Sequence, residues 1–143
     1  MKVKIISILG LFLRQKTAGN CRAYRSEERR RNAMAAIRQW IKERRWTEDA
    51  TLDEVAGSLG MDKEYMSKIF RARFGKSFLQ WRKEMRVKEA KRLLATDRNT
   101  PTAIIGESVG ISDKSNFKRQ FRDLTGYTPA EWRLKKQFKI RLK

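Results

Sequence analysis

The chain has 143 residues, 40% of them hydrophobic, enough for one medium core or two small ones but not for a large enzyme fold. Its 35 Lys and Arg against 16 Asp and Glu leave a net charge of +19, a field of one sign that selects phosphate backbones or acidic surfaces and repels cations. With no His and a single Cys, Cys21, it lacks the usual general base, most metal-ligand sets and any internal disulfide, so neither catalysis, metal nor cofactor is expected and a reducing, cytoplasmic setting fits.

Residues 1–25 read as an N-terminal arm, disordered or the stump of a longer chain. Lys2 and Lys4 precede an apolar run from Ile5 to Leu13 that Ser7 and Gly10 interrupt. That run is too short to span a bilayer as a helix, and Thr17-Ala18-Gly19 is a poor cleavage site, so no membrane association is expected. From Ser26 the pattern turns helical, and residues 26–134 are expected to form one domain. A first helix is predicted from Glu27 to Trp46, with Met34, Ile37, Trp40 and Ile41 as its apolar stripe. Thr51-Leu52-Asp53-Glu54 is a capping box that starts a second helix, and Gly60 stops it. A third follows from about Lys63 to Arg73, burying Met66, Ile69 and Phe70 and ending near Gly75. Gly75-Lys76-Ser77 imitates the end of a phosphate-binding loop, but that motif needs Gly where Phe70 stands.

A long linker helix is predicted over 78–95, with Phe78, Trp81, Met85, Leu93 and Leu94 as its apolar positions, broken at Thr96 to Thr100. Pro101 suits the first turn of a fifth helix that covers Thr102 to Val109 and ends at Gly110. Ser112 is the expected N-cap of a sixth helix, which buries Phe117, Phe121 and Leu124 and ends near Gly126. Thr128-Pro129-Ala130-Glu131 is a further capping box that opens a seventh helix, and the basic tail 135–143 is expected to fray. The fold class is therefore all-α, about seven helices.

Within this order the chain repeats itself. Val55-Ala56-Gly57-Ser58-Leu59-Gly60-Met61 returns as Ile105-Gly106-Glu107-Ser108-Val109-Gly110-Ile111, displaced by 50 residues. Phe70, Gly75 and Trp81-Arg82 return as Phe121, Gly126 and Trp132-Arg133, displaced by 51. A short helix, a Gly-closed turn and a second helix with one apolar face make a helix-turn-helix, whose second helix can lie in the major groove of DNA. The two copies span 51–74 and 102–125, joined by the linker helix.

The polar side of the third helix offers Lys63, Glu64, Ser67, Lys68 and Arg71, and that of the sixth Lys114, Ser115, Asn116, Lys118, Arg119 and Arg122. Arg and Lys can donate to guanine, Asn can pair with adenine, Glu can accept from cytosine and Ser can do either. Residues of this kind also form the solvated side of any amphipathic helix, but two copies, each behind a Gly-closed turn, favour the groove reading.

The stretch from Ile105 through Ser112-Asp113-Lys114-Ser115-Asn116-Phe117-Lys118-Arg119-Gln120-Phe121, Gly126-Tyr127-Thr128-Pro129 and Trp132-Arg133 resembles the signature of the AraC/XylS family of bacterial transcription regulators. Leu52 to Trp81 resembles that family's first helix-turn-helix, and Met85 to Leu94 its linker helix. The resemblance covers roughly residues 33–134 and implies sequence-specific binding of double-stranded DNA, with two reading helices in successive major grooves. Carried over residue by residue, it makes Glu64, Ser67, Lys68, Lys114, Ser115, Asn116 and Arg119 the base readers. Thr51, Lys63, Arg71, Thr102, Lys118 and Arg122 are then the phosphate contacts, with helix N-termini assisting at the two threonines. It also implies that one monomer reaches two half-sites at the bacterial nucleoid, and it leaves RNA polymerase as a further partner; the oligomeric state stays open. The sequence departs from the family at three places: Gly106 replaces the usual Ala, an expected loosening of the fifth helix by about 1 kcal/mol, Ile111 replaces Phe, and Ser77 stands near a frequent Pro. Two other classes share the charge, an RNA-binding or ribosome-associated protein and a helical adaptor for an acidic protein. RNA modules display stacking aromatics, whereas Phe70, Phe117, Phe121, Trp81 and Trp132 sit at core spacings.

Overall fold

The computed structural model describes residues 25–141, and the expectations for the N-terminal arm and for Cys21 lie outside them. Among the described residues there are seven α-helices, one 3-10 turn and no strand. In order they are α1 (25–42), the 3-10 turn Arg45–Thr47, α2 (Leu52–Ser58), α3 (Lys63–Phe74), α4 (Phe78–Thr96), α5 (Thr102–Ser108), α6 (Lys114–Thr125) and α7 (Pro129–Arg141). The described residues fall into two units, one ending at Gln39 and one beginning at Trp40. In the first body Ala33 and Ile37 are buried and Met34 is half-buried. All else described below belongs to the second.

The first helix stops at residue 42, short of the expected Trp46. Arg44 takes a left-handed backbone (φ 59°), and Thr47 Oγ donates to the Arg44 carbonyl at 2.9 Å. The turn swings the Trp46 ring into the core while leaving its carbonyl for another partner. The capping box of α2 forms as read: Glu54 N–H donates to Thr51 Oγ at 3.3 Å and Thr51 N–H to Glu54 Oε2 at 2.7 Å. Asp62 caps α3, and Ser77 caps α4 by accepting from Gln80 N–H at 3.2 Å, so this serine has a local task.

Three boundaries in the second copy differ from the sequence reading. Thr102 opens α5 as expected, but Pro101 is its N-cap rather than a first-turn residue. Asp113, not Ser112, caps α6, because the Ile111 N–H closes on the Gly106 carbonyl at 2.8 Å and the buried Ile111 side chain draws the chain inward. Asp113 is also where the 51-residue displacement puts the counterpart of Asp62. The tail does not fray at 135. The Thr128–Glu131 capping box starts α7, which continues to Arg141, with Lys136 over the Trp132 ring at 4.7 Å and Lys135 over the Tyr127 ring at 4.1 Å.

Each copy is packed around aromatic rings. In the first, Phe70 of α3 meets Trp81 of α4 edge-on at 5.4 Å and Phe78 at 5.2 Å, and Trp40 lies 5.8 Å from Phe78. In the second, Phe121 of α6 meets Trp132 of α7 edge-on at 6.1 Å. Around it Val87, Ala90, Leu94, Ile105, Val109, Ile111, Phe117 and Phe121 form one buried cluster, with Leu93 half-buried against it. Leu124, expected inside, is 39% exposed. Met85 and Ile41 are also only half-buried. Removing a ring such as Phe121 costs about 3–5 kcal/mol, a large part of what a small domain has.

The repeated Trp-Arg pairs share a second task. Arg82 donates to the Ala50 carbonyl and Arg133 to the Thr100 carbonyl, each immediately before the N-cap of its own copy. One arginine thus ties the last helix of each copy to the start of its first. Only the first copy adds a neighbour, Arg86, whose Nε donates to the Trp46 carbonyl at 2.9 Å and Nη2 to the Glu48 carbonyl at 2.8 Å.

The turn of the second copy is seated on that same loop. Gly110 has φ +88°, and a Cβ there would lie 2.1 Å from the Thr47 carbonyl oxygen and 2.9 Å from Arg86 Nη2. Its counterpart Gly60, at φ +72°, has open space. Gly106 is a different case. A Cβ there would stand 2.8 Å from the Phe117 ring, so α5 and α6 approach more closely than an alanine allows. The helix propensity an alanine would add, about 1 kcal/mol, is offset by overpacking of about 1–3 kcal/mol.

Two outcomes follow for stability. Gly60→Ala should cost only left-handed strain, about 1–2 kcal/mol, whereas Gly110→Ala adds a collision with backbone, a further 1–3 kcal/mol or so; urea unfolding of the two variants checks the difference. Glu89 accepts from Arg92 Nη2 at 2.8 Å and Arg44 Nη2 at 2.9 Å, and these bonds lower its pKa from 4.5 to about 2. The folded state therefore binds this proton less readily than the unfolded one, so the contribution is present above pH 4.5 and lost as pH falls towards 2. A pH series of unfolding midpoints should show a shallower acid decline in Glu89→Gln than in the parent chain.

Candidate nucleic-acid interface

α3 and α6 have the same anatomy at a displacement of 51. Met66, Ile69 and Phe70 bury one side of α3, and Phe117 and Phe121 one side of α6. At 3.6 residues per turn the opposite side of α3 carries Glu64, Lys68 and Arg71, and that of α6 carries Ser115, Arg119 and Arg122, all exposed. Gly75 (φ +67°) and Gly126 (φ +76°) end the two helices alike.

The flanks differ from the sequence reading in detail. Ser67 is half-buried, and its counterpart Lys118 is exposed. Lys63 opens α3 and lies 3.7 Å from Asp53, while Lys114 opens α6 and is exposed. Asn116 is half-buried, and its carboxamide oxygen accepts from Arg119 Nη2 and Gln120 Nε2, both at 3.0 Å. Pairing with adenine uses both ends of a carboxamide, and here the acceptor end is taken.

The two threonines are placed apart from these stripes, at the starts of α2 and α5. The Thr51 hydroxyl donates to Glu54 Oε2 at 2.8 Å, and Asp53 and Glu54 occupy the first turn. Two carboxylates there oppose an anion that the helix N-terminus alone would attract. Thr102 is half-buried in the first turn of α5.

Charge is distributed unequally. The acid of α3, Glu64, stands on the outward stripe itself, whereas that of α6, Asp123, lies 3.8 Å from Lys83 of α4. The outward stripe of α6 is left with Arg119 and Arg122 and no carboxylate. Sequence reasoning missed Arg82, Lys83, Arg86 and Arg133. The repeated Trp-Arg pair was the available signal for two of them; nothing in the periodicity marks the others. Among the described residues no cluster of acidic or sulfur ligands could hold a metal ion, and no helix is long and apolar enough to cross a membrane.

Two Gly-closed helix pairs, each presenting a polar stripe and both built on α4, define a tandem helix-turn-helix domain. Residues 55–135 match a family model described as a helix-turn-helix domain. The arabinose operon regulatory protein of Escherichia coli (strain K12) is 35% identical over 95 residues, 66% of this chain and 32% of that protein. Its counterpart in Salmonella typhimurium is 39% identical over 79 residues, 55% of this chain and 28% of that protein. The chain thus spans about a third of the length of these curated relatives. Among solved structures, the C-terminal domain of the two-component response regulator yesN from Fusobacterium nucleatum is similar, at TM-score 0.65 and 30% identity, over 71% of this chain and 98% of that one. The DNA-binding domain of AdpA in complex with a target DNA shares the fold, at TM-score 0.67 and 21% identity, over 75% of this chain and 94% of that one. The chain belongs to the AraC-type helix-turn-helix family.

Proposed function

We propose that this chain binds double-stranded DNA sequence-specifically as a transcription regulator, with α3 and α6 in successive major grooves. The observation that carries this reading is the pair of outward stripes, Glu64, Lys68, Arg71 and Ser115, Arg119, Arg122, at the same register on two helices that pack on α4. The family relationship supports it, since relatives named as operon regulators share this part of their length. Phe70, Phe117, Phe121 and Trp81 are buried in the core, and the exposed rings Tyr127 and Phe138 lie in and just before α7, away from the outward stripes of α3 and α6.

In this reading Ser115 and Arg119 face bases from α6, with Lys114 at the helix start. Glu64 and Lys68 do so from α3, with Ser67 at the groove edge. Arg71, Arg122, Lys63 and Lys118 meet phosphates on either side, with Thr102 at the start of α5; Thr51 drops out of this role, because its N–H and its hydroxyl both donate to the Glu54 carboxylate. Asn116 holds the Arg119 guanidinium in a fixed plane, which suits a bidentate contact to guanine. RNA polymerase as a second partner, and recognition of two half-sites by one monomer, belong to the same proposal.

The experiment that tests this reading is binding to selected and random duplexes across salt. With about 6–10 phosphates neutralised, affinity should fall by about three to five decades between 50 and 200 mM salt, and a flat response excludes the mode. Inserting about 5 bp between half-sites turns one of them to the opposite face. Affinity should then fall to that of a single module, and unchanged binding would mean that only one helix reads. Competition by RNA or an acidic protein at one fixed salt should be weaker than by duplex DNA.

Arg119→Ala should cost about 1–3 kcal/mol on the preferred site and little on random DNA. Asn116→Ala should cost less, and its effect should vanish when Arg119 is already alanine, a coupling that a double-mutant cycle measures.

A further inference from the structure

Between the first half of α4 and one flank of α6 lies an open groove of about 450 Å³. Leu79, Arg82, Lys83 and Arg86 line one wall, and Arg119 and Asp123 stand on the other. Of the eight lining side chains four are cationic and one is an acid, Asp123, 3.8 Å from Lys83.

Arg82 and Arg86 stand one helical turn apart, both half-buried, and both are held by backbone carbonyls, Arg82 by that of Ala50 and Arg86 by those of Trp46 and Glu48. A carbonyl satisfies N–H groups but cancels no charge. Burial holds both guanidiniums below their ordinary range, Arg86 at about 10 with Arg82 beside it, and only Asp49 opposes this through space. The wall therefore keeps a concentrated positive field facing an open groove, a setting that focuses on an anion. Leu79, 59% exposed, adds an apolar edge that the fold does not use.

We propose that this groove binds a phosphodiester of the DNA strand that passes between the two reading helices, with Lys83 as the direct contact and Leu79 against the adjoining sugar. The inference rests on the reading of α6 as a base-reading helix. Arg119 links the two, because it belongs both to the outward stripe of α6 and to the groove wall, so a strand whose bases reach α6 brings its backbone to this wall. The groove is open along its length, which fits a chain running through it better than a small anion enclosed on all sides.

The full chain should be tested with Lys83→Ala, and with Leu79→Glu against Leu79→Gln as the neutral control, on the selected site and on random duplex. Lys83→Ala should weaken binding to both about equally, and make the slope of log affinity on log salt shallower by about one. Leu79→Glu should bind about tenfold more weakly than Leu79→Gln at low salt, the gap closing as salt screens the added carboxylate. Neutralising single phosphates between the half-sites should find one whose loss harms the parent chain but not Lys83→Ala. If Leu79→Glu and Leu79→Gln bind alike and the slope of Lys83→Ala is unchanged while Arg119→Ala still loses discrimination, the groove proposal is overturned and the reading of α6 stands. If the parent chain itself shows no salt-dependent duplex binding, both fall.

Discussion

One arginine closes each helix-turn-helix in this chain, and the remaining geometry depends on that closure. Arg82 and Arg133 reach from the helix after the reading helix to the carbonyl before the N-cap of their own copy. The short α2 and α5, seven residues each, are too brief to be stable on their own. They hold because their starts are tied to α4 and α7, and because the rings of Phe70 and Phe121 are wedged against Trp81 and Trp132. The reading helices are thus held from behind by apolar packing, leaving their outward stripes free of structural duty.

The two copies are nevertheless not equivalent. α4 ends the first copy and is the floor of the second, where Val87, Ala90 and Leu94 join the cluster around Phe117 and Phe121. Arg86 fastens the loop before α2 to α4, and Gly110 sets the turn of the second copy directly on that loop. Lys83 to Asp123 and Arg44 to Glu89 are further links to α4. The Lys83–Asp123 pair, with its carboxylate exposed, contributes little alone. The carbonyl contacts and the glycine seat are the constraints on spacing, and under the proposed function that fixed spacing sets the distance between two half-sites.

The stripes also suggest a division of labour within the proposed reading. α6 offers arginines with no acid on its outward face, and Asn116 holds one of them. α3 places Glu64 at the N-terminal end of its stripe, a group that repels phosphate unless a cytosine amine stands opposite. The second copy is accordingly suited to affinity and the first to selectivity.

Much of this was legible in the sequence. The helices, the capping boxes at Thr51 and Thr128, the four glycine stops and the outward stripes follow from local rules, because a helix start or a polar face is decided by residues three or four apart. Local rules place the cap of α6 at Ser112 instead of Asp113, one residue off, because two adjacent capping residues satisfy the same rule. What tertiary structure alone decided involves partners far apart in the chain: the end of α1 before Trp46, the arginine ties, the seat of Gly110 on Thr47, the close approach at Gly106 and the continuation of α7 under Lys135 and Lys136. The half-buried place of Asn116 was settled in the same way, by the approach of α6 to α4. Periodicity states which side of a helix is apolar, but it carries no information about which carbonyl a long side chain will find 32 or 40 residues away. That is determined only when the helices pack, because a buried carbonyl or guanidinium must then find a partner across the chain.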